Sequence, residues 1–126
     1  MNKDLVPYQP SIDIKELGFD EPCFGSYVKL TETQNTFFMN EVVSEIDRET
    51  PLHESLITKA PTFSQAFRWF REKYELFCWI EKFHVDETYI FQIPPANFTK
   101  IQGHYITYEE AELACLLKLI EIVKTK

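Results

Sequence analysis

Apolar positions recur most regularly in the second half of the chain. From residue 62 to residue 74, Phe63, Ala66, Phe67, Phe70 and Tyr74 stand at i, i+3, i+4, i+7 and i+11, which places all five on one helical face at ~100° per residue. Ala60-Pro61-Thr62 opens this helix, and Thr62 with Gln65 has capping-box spacing, so that each side chain can satisfy the other residue's backbone N–H. On the same helix Trp69 falls about 110° from the centre of the stripe, with Arg68 and Arg71 on the opposite flank. Residues 75–83 and 88–93 then read as two strands joined by His84-Val85-Asp86-Glu87. In the second strand Tyr89, Phe91 and Ile93 share one face, Thr88, Ile90 and Gln92 take the other, and Pro94-Pro95 ends it.

The closing helix has the clearest signature. Thr107 and Glu110 make a second capping box, Glu109 and Glu112 lie near the positive end of the helix dipole, and Lys118 and Lys124 lie toward the negative end. Ten of the 13 residues from Ala111 to Val123 are apolar. They spread over an arc of about 200°, against the ~100° that a one-sided helix needs. Either this helix is sandwiched between the sheet and other helices, or part of its surface, including Leu117, meets a second copy of the protein.

The first half is less regular. Pro7 and Pro10 stiffen the entry, Ser11 is a plausible N-cap for a short helix over residues 12–17, and Gly18 stands just beyond its end. After the turn at Asp20-Glu21-Pro22, residues 23–30 are rich in aromatic and β-branched side chains and read as a strand. A polar turn over 31–35 follows, and residues 36–43 read either as the returning strand of a hairpin or as the start of a helix. Residues 44–59 read as a long surface connection with a short strand at Leu56-Ile57. The expected fold is therefore α+β, a single domain over residues 1–126, with an antiparallel sheet of about four strands packed by helices and a long C-terminal helix. Two helix–strand–strand units are visible, but their sequences do not match.

Composition narrows the function classes. The 126 residues are 44% hydrophobic, a proportion suited to one globular domain, and the apolar runs are far shorter than the ~20 residues of a membrane helix. Phe supplies 11 of the aromatic residues, Tyr 6 and Trp 2, more than a small core need hide. A net charge of -7 repels phosphate backbones, and no run of Lys and Arg offsets it. Nucleic-acid binding is thus the least favoured reading, and it would have to use Arg68, Arg71 and Lys73 with Trp69 as a stacking platform. Cys23, Cys78 and Cys115 are odd in number and lack paired Cys-x-x-Cys spacing, which points to buried thiols rather than a disulfide framework or a zinc site. The residues following Met1 lack an apolar stretch of signal-peptide length, so a cytoplasmic location is expected.

Catalytic constellations are weak. His53, His84 and His104 fall in three separate predicted loops, and although His84-Val85-Asp86 would present two ligands, no helical pair supports them, so neither metal nor cofactor is expected. The three glycines are too dispersed to cradle a phosphate, no Gly-x-Ser-x-Gly elbow is present, and no cysteine has a cation beside it in sequence. Glu109 and Glu112 would acquire raised pKa values if buried together, but first-turn carboxylates that complement the dipole are the plainer reading. Trp79, Tyr89, Tyr105 and Tyr108 provide either a stacking surface for a ring-shaped ligand or ordinary cross-strand packing. A Trp beside cations is an interface composition, but a core Trp covering a sheet edge or loop has the same pattern and is the plainer reading of Trp69; the candidate contact residues are Trp69, Arg68, Arg71, Trp79 and Leu117.

Three blocks carry a resemblance: residues 17–23, residues 60–74 and residues 108–121, the last beginning Tyr108-Glu109-Glu110-Ala111-Glu112. Together they resemble small proteins encoded in prophages and mobile elements of anaerobic gut bacteria, a family with no assigned activity, catalytic residue or ligand. The resemblance implies a cytoplasmic accessory protein of a phage-like element, and residues 31–59 match it least. The expected function is non-enzymatic protein–protein contact, as a homodimer or with another protein. The alternative is a small-ligand binder or undescribed enzyme with an aromatic-lined pocket near Trp79, Tyr89 and Glu112.

Overall fold

The computed structural model describes residues 4–49, 53, 56–94 and 104–125. The architecture is α+β, with four helices, five strands in two small antiparallel sheets, and a long C-terminal helix. The chain divides between Thr62 and Phe63 into two compact units. Among the described residues no helix is long and apolar enough to cross a membrane.

The first unit contains α1 (Tyr8–Glu16), β1 (Gly25–Lys29), β2 (Asn35–Met39), α2 (Asn40–Glu49) and β3 (Ile57–Lys59). Its sheet runs β2-β1-β3 with both pairings antiparallel, Tyr27 lying opposite Phe37 on one side and Thr58 on the other. The first helix starts earlier than Ser11. Pro7 is its N-cap at φ -60°, and Pro10 sits in the first turn, where a missing N–H costs no helical hydrogen bond. Ser11 is instead a buried helical residue whose hydroxyl donates to the Val6 carbonyl at 3.2 Å. Gly18 does end the helix, at φ 107°. α1 lies against β3, where Lys15 Nζ donates to the Ile57 carbonyl at 2.9 Å.

Both readings of residues 36–43 hold in part, because the strand runs to Met39 and a helix starts at Asn40. The Asn40 N–H donates to the Phe24 carbonyl at 3.0 Å, and its side chain caps the Cys23 carbonyl at 2.6 Å. The expected long connection after Ser44 is thereby corrected. Its first part is the C-terminal part of α2, a helix with no fully buried residue, whose apolar positions are half-buried at Val43 and Ile46 and exposed at Val42. The short strand lies at Ile57–Lys59, slightly later than expected, and Ala60 N–H continues its bonding to the Gly25 carbonyl at 3.0 Å.

The second unit contains α3 (Phe63–Tyr74), β4 (Trp79–Phe83), β5 (Thr88–Gln92) and α4 (Tyr108–Lys124). α3 forms where the periodicity places it, with Phe63, Ala66, Trp69 and Phe70 buried. The following strand begins at Trp79 rather than Glu75. Glu75 takes a left-handed conformation, φ 57°, and the N–H groups of Glu75 and Leu76 turn back to the Arg71 and Phe70 carbonyls. Phe77 consequently lies outside any strand and is 52% exposed. The β4–β5 hairpin turns through residues 84–87, and Tyr105 adds a bridge to Tyr89 through two backbone bonds of 2.8 and 2.9 Å.

The capping box of α4 is present in full, Thr107 Oγ1 accepting from Glu110 N–H and Glu110 Oε1 accepting from Thr107 N–H. α4 contacts β4, β5 and α3, which accounts for its wide apolar arc. Ala111, Cys115, Leu116, Leu119 and Ile120 are buried, whereas Leu117 remains 45% exposed.

Candidate functional site

On α3 the residues not used by the core form their own stripe. Ser64, Phe67, Arg68 and Arg71 follow at i, i+3, i+4 and i+7, so they share a face. This face looks onto Cys78, Trp79 and Ile80, from the start of β4, and onto Tyr108, the first residue of α4. The eight residues line an open groove of about 550 Å³.

Three of the expected contact residues, Arg68, Arg71 and Trp79, are brought together here. Two are not. Trp69 is a core residue, 6% exposed, set edge-on to Phe70 at 5.1 Å and to Tyr74 at 5.5 Å, with Lys73 Nζ 5.2 Å from its ring centroid. A helical wheel places Trp69 on a flank, but an indole is long enough to reach neighbours over a wider arc than its Cβ direction suggests. Leu117 is exposed but does not line the groove.

The aromatic residues divide similarly. Trp79 and Tyr108 are both 43% exposed and line the groove, and Tyr89 supports Tyr108 edge-on at 6.0 Å. Tyr105 stacks on Phe91 at 6.2 Å instead. Burial, followed by the negative charge of Glu112, raises the Tyr108 pKa. The phenol therefore stays protonated at neutral pH and can donate a hydrogen bond.

The cysteines depart from their expected uniform burial. No disulfide is present, and Cys115 alone is fully buried, while Cys23 and Cys78 are half-buried. Cys78, at the groove, and Cys115, on α4, form a hydrogen-bonded thiol pair. The Cys115 hydrogen bond lowers the Cys78 pKa, burial opposes it, and the Arg71 charge adds to the lowering. The same hydrogen bond and burial drive the Cys115 pKa upward, so of the two thiols Cys78 gives up its proton more readily. No cysteine has a cation beside it in sequence, but folding brings one in, because a turn of backbone after α3 returns Cys78 to Arg71. Ordinary sequence spacing hides this pairing, since the partner thiol comes from the last helix.

The histidines do not gather. Asp86 turns away from a pairing with His84 and instead accepts from the Thr88 hydroxyl at 2.6 Å, with His104 Nδ1 2.9 Å from that hydroxyl and 3.4 Å from Asp86 Oδ2. This cluster clasps the hairpin turn. Among the described residues no group of three His, Cys, Asp or Glu is arranged to hold a metal ion.

The groove therefore combines two guanidinium groups, an exposed indole, a phenol donor and the Cys78 thiol, which is paired with the buried Cys115. In comparisons with protein-family models, curated proteins and solved structures nothing matches this chain, so what the groove does is read from its own residues.

Proposed function

We propose that the chain is a non-enzymatic accessory protein acting by protein–protein contact, and that its groove takes an acidic peptide segment carrying an aromatic or apolar neighbour. The observation supporting this reading is the convergence of Arg68 and Arg71 with Trp79 and Tyr108 on one surface of a molecule with net charge -7. A guanidinium fork matches a carboxylate in bidentate geometry, and exposed aromatic rings provide apolar contact area at small entropic cost. The overall negative charge opposes an acidic partner at a distance, but physiological salt screens it beyond roughly 8 Å. Of the residues lining the groove, the charged ones are Arg68 and Arg71. The resemblance to prophage-encoded proteins supplies a setting, an accessory role in the cytoplasm of a host cell.

A second copy of the chain is the other candidate partner, meeting a surface outside the groove that includes Leu117, which is 45% exposed. Homodimer formation through that residue gives a concentration-dependent dimer in sedimentation, abolished by Leu117→Glu. The peptide reading is tested by titrating the chain with a short peptide in which Asp and Glu flank a Phe, and with its Asn/Gln counterpart. Trp79 emission reports occupancy over a constant signal from buried Trp69. Because hydrogen bonds to charged groups contribute ~1.5–3 kcal/mol each, the uncharged peptide should bind at least about tenfold more weakly, and Arg68→Glu with Arg71→Glu should remove the difference. Equal binding of both peptides overturns this reading.

A further inference from the structure

Beside peptide contact, the groove contains a chemical group that such contact does not use. Cys78 is half-buried and lines the groove, Cys115 is fully buried on α4, and the two thiols touch through a hydrogen bond. Arg71 places its charge next to the accessible sulfur. We propose that Cys78 and Cys115 form a redox site that reacts with hydroperoxides and closes to a reversible intramolecular disulfide. An accessible sulfur beside a cation, with a second thiol already in contact, is the arrangement that such chemistry requires.

The step balances as follows. The Cys78 thiolate attacks the terminal peroxide oxygen, an S–O bond forms, the O–O bond breaks, and the departing oxygen takes a proton from solvent to leave as an alcohol or water. Cys115 then surrenders its proton, its sulfur attacks the Cys78 sulfur, and the S–O bond breaks as the hydroxide leaves with that proton as water. Two electrons pass from the two thiols to the peroxide. A dithiol reductant restores the pair by attacking the disulfide at Cys78, the sulfur open to the groove. Arg71 favours the thiolate in the resting state and stabilises the negative oxygen as the O–O bond breaks. Cys23, whose thiol donates to the Glu21 carbonyl at 3.4 Å, serves as the internal reference.

The test treats the full chain with hydrogen peroxide, alkylates remaining thiols, digests without reductant and maps the peptides by mass spectrometry. The expected product is a Cys78–Cys115 linked peptide pair, reversed by dithiothreitol, with Cys23 still alkylated. In Cys115→Ser the sulfenic acid persists on Cys78 and is captured by dimedone, and Arg71→Gln slows oxidation of Cys78 several-fold. Should Cys115→Ser fail to fold, as circular dichroism would show, the linked peptide in the unmodified sequence decides the matter. Oxidation of Cys23 as fast as Cys78, or oxidised Cys78 without a link to Cys115, overturns the proposal. The peptide-binding reading is untouched by either result, since no peptide enters the experiment.

Discussion

Gly25 opens β1 at a place where backbone and ring crowd together. A Cβ there would run into the Phe38 carbonyl oxygen and stand 2.6 Å from Phe37 Cζ. Gly25→Ala should therefore destabilise the chain by about 1–3 kcal/mol through overpacking, read as a lower Tm. Asp86 offers a second single-residue test. The Thr88 hydrogen bonds hold its carboxyl below the usual range, aided by His104. A depressed folded-state pKa means that this contribution is present above the unfolded pKa and is lost as pH falls through the folded one. In an NMR titration the Asp86 carboxyl carbon should turn over below an ordinary Asp, and Thr88→Val should move that midpoint upward. The same scale shows why the helical wheel leaves Trp69 open between core and contact surface, and why the surroundings of Cys78 do not show in the sequence. Helical angle reports where a side chain begins, not what its length lets it cover, and a thiol's surroundings depend on groups far away along the chain.

Among the elements, those written by a cap and a long apolar period were legible: α3, the β4–β5 hairpin and α4. α1 was read too short because prolines look like breakers, although within a first turn they cost no hydrogen bond. α2 was hidden because its three apolar residues, Val42, Val43 and Ile46, fall within little more than one turn, too short a run to distinguish a helix from the end of a strand. The end of α3 holds an element-scale prediction. Glu75 adopts φ 57° while exposed, a conformation that costs an L-residue about 1 kcal/mol and glycine far less. Glu75→Gly should raise Tm in thermal unfolding, and the Cys78–Arg71 approach that this turn creates should survive it.

Over the whole molecule, the class was readable from alternation of patterns, and the division between Thr62 and Phe63 falls between the two helix–strand–strand series that the sequence displays. The distribution of five strands over two sheets was not readable, because pairing partners are chosen by packing that local pattern does not encode. The candidate groove was half legible: Arg68 and Arg71 were visible as cations on α3, and Trp79 and Tyr108 as members of an aromatic surface, while the meeting of the two sets and the thiol pair with Cys115 of α4 were not. The position of β1 at the centre of its sheet has a consequence for how that sheet is assembled. Its pairing with β2 closes only a short polar turn, whereas its pairing with β3 must first bring together segments separated by the whole of β2 and α2. Loop-closure entropy therefore orders the steps, a local hairpin first and a late-docking third strand after it. With only three residues, Ile57–Lys59, that strand depends on α1 and on the Ala60 bond to Gly25 to hold its place.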